Sequence, residues 1–516
     1  MSRTKNSIRN SQVALIFYFI EIIIGFWSRK VFIDYLGTEI LGLNTTAMNL
    51  LNFLNIAELG IVSAVTFTLY KPISQNDQKS INEIISVQGW LYRKIGFFVG
   101  GGALVLMLFF PFIFNKVEVP MWYVYASFLA FLYSSLLTYF FNYKQIILSA
   151  SQQEYKITLN YKSLHIIKSL IQIYAVSHFS NPYEWWLILQ FLLSTVATIN
   201  LNRTIRKSFP KLQVSIKAGK LLRKNYEIII TKVKQLFFHK IAGFVLSQTS
   251  TLIIYAFTSL TMVAIYGNYM LIINSVNAMF NTAFNGMNAS IGHLVAENNK
   301  KKILSVLGEL FTTRFLCASI SIFCIYMLIT PFISIWIGKE FLMDNNILIV
   351  ILIYMFIILM RGVIDSFISA YGLFKDIYAP IIEAVLNLSL SILLGYYFSI
   401  IGVILGVVIS LICVVIIWKP YFLFKYGIKE GGWQYIKMYL THIAIFAFSC
   451  FVTTHIIEFI FQLNNINTFI ELTIYAIATL SIIAIIEISL LYLLTSSMKN
   501  ITKRVFLLIN QKINKK

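Results

Sequence analysis

The chain has 516 residues, 58% of them hydrophobic and 12% charged, with a net charge of +21 from 42 Lys+Arg against 21 Asp+Glu. A soluble globular chain carries roughly 25% charged residues, and at a mean hydropathy of +0.76 no water-soluble fold of this size could enclose so much apolar surface. Apolar runs of about 20 residues recur from end to end, the length that crosses a hydrocarbon core, and they do not alternate as membrane-barrel strands do. The sequence therefore predicts an all-α polytopic membrane protein. The basic excess reads as positive-inside bias, which sets nucleic acid aside as a partner.

In chain order, a basic N-terminus (Arg3, Lys5, Arg9) leads into a long apolar stretch without a small-residue cleavage site. It reads as a first span rather than a cleaved signal. Hydropathy predicts about fourteen spans: 12–35, 42–70, 94–115, 122–149, 158–179, 184–201, 235–258, 262–292, 311–337, 346–371, 379–399, 401–426, 438–461 and 469–495. Basic residues collect in alternate connections: Arg203, Arg206, Lys207, Lys211, Lys217, Lys220, Arg223 and Lys224, then Lys300 to Lys302, then the tail from Lys499 to Lys516. The opposite connections are short, with Lys116 and Lys339 as their clear cations. This asymmetry predicts both termini on the cytoplasmic side of an inner membrane. The longest connection, 202–234, reads as a basic amphipathic helix on the inner leaflet. No loop is long enough for a separate soluble domain.

An internal repeat accompanies this order. Pro111-Phe112-Ile113 closes the third span and Pro331-Phe332-Ile333 the ninth. Upstream, Asp77-Gln78-Lys79 and Asn299-Lys300-Lys301 each sit in the loop after an even-numbered span. A duplicated six-helix unit in parallel orientation follows: a first lobe over 1–207, a second over 208–426 opening with the basic linker, and two additional helices with a basic tail over 427–516.

Phosphate-binding loops, H-E-x-x-H and Cys/His zinc spacings do not occur. Cys317, Cys324, Cys413 and Cys450 lie inside expected spans and read as packing residues. Gly100-Gly101-Gly102 and the Gly402/Gly406 pair read as close helix contacts. No cofactor or metal is expected, and no covalent chemistry. The informative residues are ionisable groups inside spans, which are costly in lipid and usually face an internal cavity. These are Glu21, Arg29 and Lys30, then Glu58, then Lys162, His165 and Lys168, then His239 and Lys240, then Arg361 and Asp365. Lys144, Lys162, His239 and Lys240 are near enough to span ends to snorkel. Lys162, His165 and Lys168 recur every third residue, an arc of about 120° on one helix. Arg361 and Asp365, four apart, can pair. If Arg29, Lys168 and Arg361 share a lumen, they form an electropositive central cavity suited to a diphosphate. Glu58 and Asp365 are the candidates for coupling to H+ or Na+, and Glu58 reads equally as a packing carboxyl or a partner of a buried cation.

One stretch carries a family likeness. It runs Arg29-Lys30-Val31-Phe32-Ile33, Leu36-Gly37-Thr38-Glu39, Leu41-Gly42-Leu43-Asn44, Ala57-Glu58-Leu59-Gly60-Ile61, Leu69-Tyr70-Lys71-Pro72 and Asp77, with a looser echo at Val263 to Tyr269. It resembles the polysaccharide transporter branch of the multidrug/oligosaccharidyl-lipid/polysaccharide exporter superfamily, which includes O-antigen and capsule repeat-unit flippases. The resemblance implies two six-helix lobes around a central cavity and alternating access. It also implies undecaprenyl-diphosphate-linked oligosaccharide as the substrate, membrane lipids as surroundings and other polysaccharide assembly proteins as partners. Two competitors stand beside it: a drug/ion antiporter of the same superfamily, which favours buried acids, and a membrane polymerase or glycosyltransferase, which needs larger outward loops than these.

Overall fold

The computed structural model describes residues 3–513, except 59, 116, 152, 228, 232, 234–248, 286–290, 292, 293, 296, 374, 375, 377 and 462–465. The described chain is helical throughout, with no strand among the described residues. It divides into two compact units, residues 1–267 and 268–516. The expected lobe boundary at 207/208 falls inside the first unit, and the segment 427–516 is part of the second.

In the first unit, helix α1 (Arg3–Leu54) bends at Gly37, whose φ of 80° is a conformation that favours glycine. A 3-10 turn, Asn55–Glu58, then leads through Gly60 (φ 93°) into α2 (Ile61–Gln75). Asp77 opens α3 (Gln78–Leu108) by accepting from the Ser80 amide at 3.1 Å and from its hydroxyl at 2.6 Å. That double hydrogen bond holds the exposed Asp77 carboxyl below its usual range. The likeness-bearing residues Gly37, Glu58, Gly60 and Asp77 thus stand at the chain's bends. A short α4 (Phe110–Ile113) follows, then α5 (Met121–Phe140), α6 (Ile146–Ala150), α7 (Glu154–His178) and α8 (Pro182–Ser208). Helix α7 packs along α1 and against α8.

The basic connection is not one amphipathic helix over its described part. Pro210, which lacks an amide hydrogen, follows the end of α8. A seven-residue helix, α9 (Ile216–Leu222), then lies on α3. Gly219 permits that contact, since a Cβ there would meet the Ser86 carbonyl oxygen at 2.1 Å. The Ser215 amide donates to Ser86 Oγ at 3.1 Å, and Arg223 lies over the Trp90 ring at 5.1 Å.

Helix α10 (Leu260–Asn285) crosses from one unit into the other. The second unit continues with α11 (Lys300–Trp336), α12 (Asn345–Ala370) and α13 (Tyr378–Leu411), then π-helical turns over Ile412–Trp418 and Leu423–Ile428, and then α14 (Gly432–Ile460), α15 (Phe469–Leu494) and α16 (Ser496–Ile513). Helix α13 is a hairpin, folded back at Ser399 (φ 54°, ψ −137°), the division expected between 379–399 and 401–426. Gly402 and Gly406 make the hairpin tight, because Cβ atoms there would meet the Leu394 carbonyl oxygen at 2.0 Å and the Ser391 amide nitrogen at 2.4 Å. The Gly100–Gly102 run is looser: Gly102 faces Leu54 at 3.1 Å, whereas Gly101 faces open space.

Nine of the described helices are long and apolar enough to cross a membrane, the 378–428 hairpin counting as one. The chain is a multi-pass membrane protein. Among the expected passes, those in α1, α2 and α7 fall outside the nine, and most of 235–258 lies outside the described residues together with His239 and Lys240. Helices α1 and α7 carry Glu21, Arg29, Lys30 and Asp34 on one and Lys156, Lys162 and Lys168 on the other, which lowers their apolar character.

Overpacking of a close backbone contact costs about 1–3 kcal/mol or more. Gly406→Leu is therefore expected to lower the melting temperature of the detergent-solubilised protein, and Gly101→Ala to leave it unchanged. Equal melting of both variants would refute the tight hairpin.

Candidate functional site

The first unit offers a polar pocket between α5, α7 and α8. Lys168 donates to Gln190 Oε1 at 2.8 Å, and Gln190 Nε2 reaches Ser134 Oγ at 3.3 Å. Ser134 also meets Ser194 at 3.0 Å. Beside this chain lies a cavity of about 110 Å³, lined by His165, Lys168, Tyr161, Asn142 and Thr198 among others. Its polar lining holds an ammonium and an imidazole, and no carboxylate. An ammonium supported by a neutral amide keeps its charge available to an anion.

The cationic stripe expected on this helix is divided. His165 and Lys168 line the pocket, whereas Lys162 turns to Glu21 on α1 at 2.5 Å. That ion pair joins α1 to α7, and each charge offsets the partial burial of the other. Arg29 reaches the first turns of α10, where its Nη2 donates to the Ala264 carbonyl at 3.1 Å. A Cβ on Gly267 would sit 2.7 Å from the same nitrogen. The echo at 263–269 is therefore the segment that Arg29 holds. Lys30 pairs with Asp34 near the surface at 3.3 Å. Glu58 accepts from Tyr92 at 2.6 Å. Neighbouring Asn55 accepts from Tyr139 at 2.9 Å and Ser135 at 3.1 Å. In this arrangement Glu58 fastens the 3-10 turn to α3.

The second unit holds Arg361 in a four-membered charge network. Arg361 pairs with Asp365 at 3.0 Å and with Glu383 at 2.8 Å, and Asp365 pairs in turn with Lys419 at 2.5 Å. Glu383 is completely buried. Two bases and two acids balance, so Arg361 is already neutralised where it stands. The i,i+4 pair was legible in the sequence, but Glu383 and Lys419 were missed. Each is a lone charge in a strongly apolar run, the signal that marks an intramembrane ionisable residue. The same signal marks Arg314 on α11, buried against α12, and Glu487 on α15, whose Oε1 accepts from Ser319 at 2.5 Å.

The chain matches no protein-family model, and no curated protein matches it in sequence. Among solved structures it is similar to the lipid II flippase MurJ in an inward closed conformation, with a TM-score of 0.62 and 16% identity over 92% of this chain and 98% of that one. It is also similar to an inward-facing multidrug resistance MATE family transporter of the MOP superfamily, with a TM-score of 0.53 and 12% identity over 81% and 99% of the two chains. The Vibrio cholerae MATE transporter VcmN gives 0.51 and 14% over 83% and 99%. The fold is similar to that of these solved transporter structures. These neighbours are transporters, and none of them is a polymerase or glycosyltransferase.

Removing one partner of a buried ion pair costs roughly 3–5 kcal/mol, whereas replacing both by apolar residues is often neutral. Arg361→Met and Glu383→Leu are each expected to reduce thermal stability sharply, and the double variant to recover most of it. Additive losses in that double-mutant cycle would show that the two side chains are not coupled.

Proposed function

We propose that the protein is an alternating-access flippase that carries lipid-linked oligosaccharide with an anionic diphosphate head from the cytoplasmic to the outer leaflet of a bacterial inner membrane. Undecaprenyl-diphosphate-linked repeat units of a surface polysaccharide are the proposed cargo. The observation that carries this reading is the pocket in the first unit, where Lys168 and His165 line a small cavity without a carboxylate. Arg29, held on the first turns of α10, is the proposed second contact. The likeness to a lipid II flippase, itself a carrier of a lipid-linked substrate by its name, supports the substrate class.

The transport reading needs no covalent chemistry. The diphosphate head would exchange its water for Lys168, His165 and their hydroxyl neighbours, in a medium where each attraction exceeds its value in water. The prenyl chain would stay in lipid. Both termini are proposed to be cytoplasmic, because the described basic residues of the 202–224 connection and of the tail would then share that side. Coupling to H+ or Na+, where it operates, is assigned to Glu58 or Asp365, the acids whose release would alter the α3 contact or the second unit's charge network.

A second reading, drug/ion antiport, draws on the likeness to MATE transporters. A cationic drug would need an unpaired acid in the pocket, and the pocket offers bases.

The test is reconstitution of the purified protein with a fluorescent undecaprenyl-diphosphate glycan, following leaflet exposure with an impermeant quencher. Wild type is expected to flip the lipid. Lys168→Ala, folded to the same melting temperature, is expected to flip it about ten- to a hundredfold more slowly, since a hydrogen bond to a charged group is worth roughly 1.5–3 kcal/mol. Unchanged flipping in the variant would remove Lys168 from the site. No flipping by wild type, with proton-driven efflux of a cationic dye instead, would establish the antiporter.

A further inference from the structure

Arg314 lies near the middle of α11, 14 residues after Lys300, which is about 21 Å along the helix. It is 7% exposed. Three contacts from two helices hold its guanidinium. From α12, the Leu359 carbonyl accepts from Nε. From α10, the Phe284 ring lies beneath Cζ at 4.9 Å. From α12 again, Gly362 lies directly against the guanidinium, since a Cβ there would sit 2.6 Å from Cζ, Nη1 and Nη2 alike. Any side chain larger than hydrogen at 362 would displace the group.

What Arg314 lacks is an ion pair: Asp365, already held by Arg361 and Lys419, attracts it only from beyond contact distance. Among the described residues no carboxylate pairs with it, whereas Arg361, Lys419, Lys162 and Arg504 all have one. A guanidinium has five N–H donors and does not deprotonate. One donor is used, on Leu359, and among the described residues Nη1 and Nη2 have no hydrogen-bond partner. Next door, Arg361 follows Met360 and precedes Gly362, so the four-membered network begins one residue from the surface that supports Arg314. Taken together, Arg314, Arg361 and Lys419 face two acids, Asp365 and Glu383. Within this described cluster the positive charges outnumber the acids by one, and Arg314 is the member with open donors.

We propose that Arg314 is the oxyanion-binding residue of the second unit, with Gly362 the position that makes room for it, and that its ligand is a phosphate or diphosphate group. This rests on the flippase reading for the source of that group, a lipid-linked head rather than free phosphate. The fork of Nη donors matches two oxygens of one phosphate, a match that a lysine ammonium gives only as a point charge. Arg361 is not the group that contacts the anion, because Glu383 and Asp365 already occupy it.

The test uses the full chain in nanodiscs of zwitterionic lipid, titrated separately with inorganic pyrophosphate and with undecaprenyl diphosphate, and read by binding and by ligand-induced thermal stabilisation. Wild type is expected to bind both. Arg314→Gln is expected to weaken both by about tenfold or more, Arg314→Lys to recover part of the loss, and Gly362→Ala to weaken both although every charge is kept. A purely structural Arg314 would change the melting temperature of the unliganded protein and leave the affinity alone. Undecaprenyl diphosphate bound equally by wild type and Arg314→Gln would overturn the assignment and leave the flippase reading standing. Arg314-dependent binding of pyrophosphate alone would keep the oxyanion site and remove the lipid-linked source. If pyrophosphate does not stabilise wild type, the site is refuted without recourse to any variant.

Discussion

The cost of placing charge in hydrocarbon governs this structure. Each ionisable residue inside a span must be paired, held by polar neighbours or turned toward a polar space. Glu21 and Lys162 satisfy each other across α1 and α7, two helices that pack along one another. In the second unit the same constraint produces the closed network of Glu383, Arg361, Asp365 and Lys419. Helices α12 and α13 and the short α-helical turn at Lys419 are tied by charge at a level where greasy side chains alone give little directional preference. Ion pairs thus do for packing in lipid what hydrophobic burial does in water.

The same logic separates what the sequence disclosed from what it concealed. The helices are legible because the length of an apolar run is a local property, and the turn at Ser399 falls where hydropathy divides two runs. The Arg361–Asp365 pair is legible because four residues make one helical turn. Glu383 and Lys419 join it from 22 and 54 residues away in sequence, and no spacing rule reaches across helices. The Lys162–His165–Lys168 stripe shows the opposite limit. Helical geometry places three bases on one arc, but the partner across the groove decides their fate, and Glu21 took one of the three. The 202–234 connection misled for a related reason: its charge pattern suits a membrane surface, but Pro210 interrupts it and Gly219 lets the chain settle on α3 instead.

The residues that carried the family likeness turn out to be architectural. Gly37 and Gly60 hold backbone conformations that other residues resist, Asp77 caps α3, and Gly42 admits the Leu260 carbonyl oxygen to a position 2.0 Å from where its Cβ would stand. Such positions report how the chain bends, which fits a likeness that extends to the fold of transporters with different names. They say little about cargo. The groups that distinguish one cargo from another are the lone charges, and their sign is what matters.

That sign can be weighed because acids and arginines are not symmetric in lipid. A buried carboxyl that lacks a base can take up a proton and enter as a neutral group. Glu487, met by Ser319 through one oxygen and with the other unpartnered, has that course open. An arginine cannot shed its charge under any accessible condition. A solitary buried acid is therefore weak evidence for a cationic cargo, whereas a solitary buried guanidinium must find its negative charge elsewhere. Asp365 and Glu383 are both engaged by bases, and among the described residues no carboxylate forms an ion pair with Arg314. Lys168 leans on a neutral amide in the first unit. Among the described residues, Lys168 in the first unit and Arg314 in the second thus each stand without an ion-paired carboxylate, the feature on which the proposed anionic cargo rests.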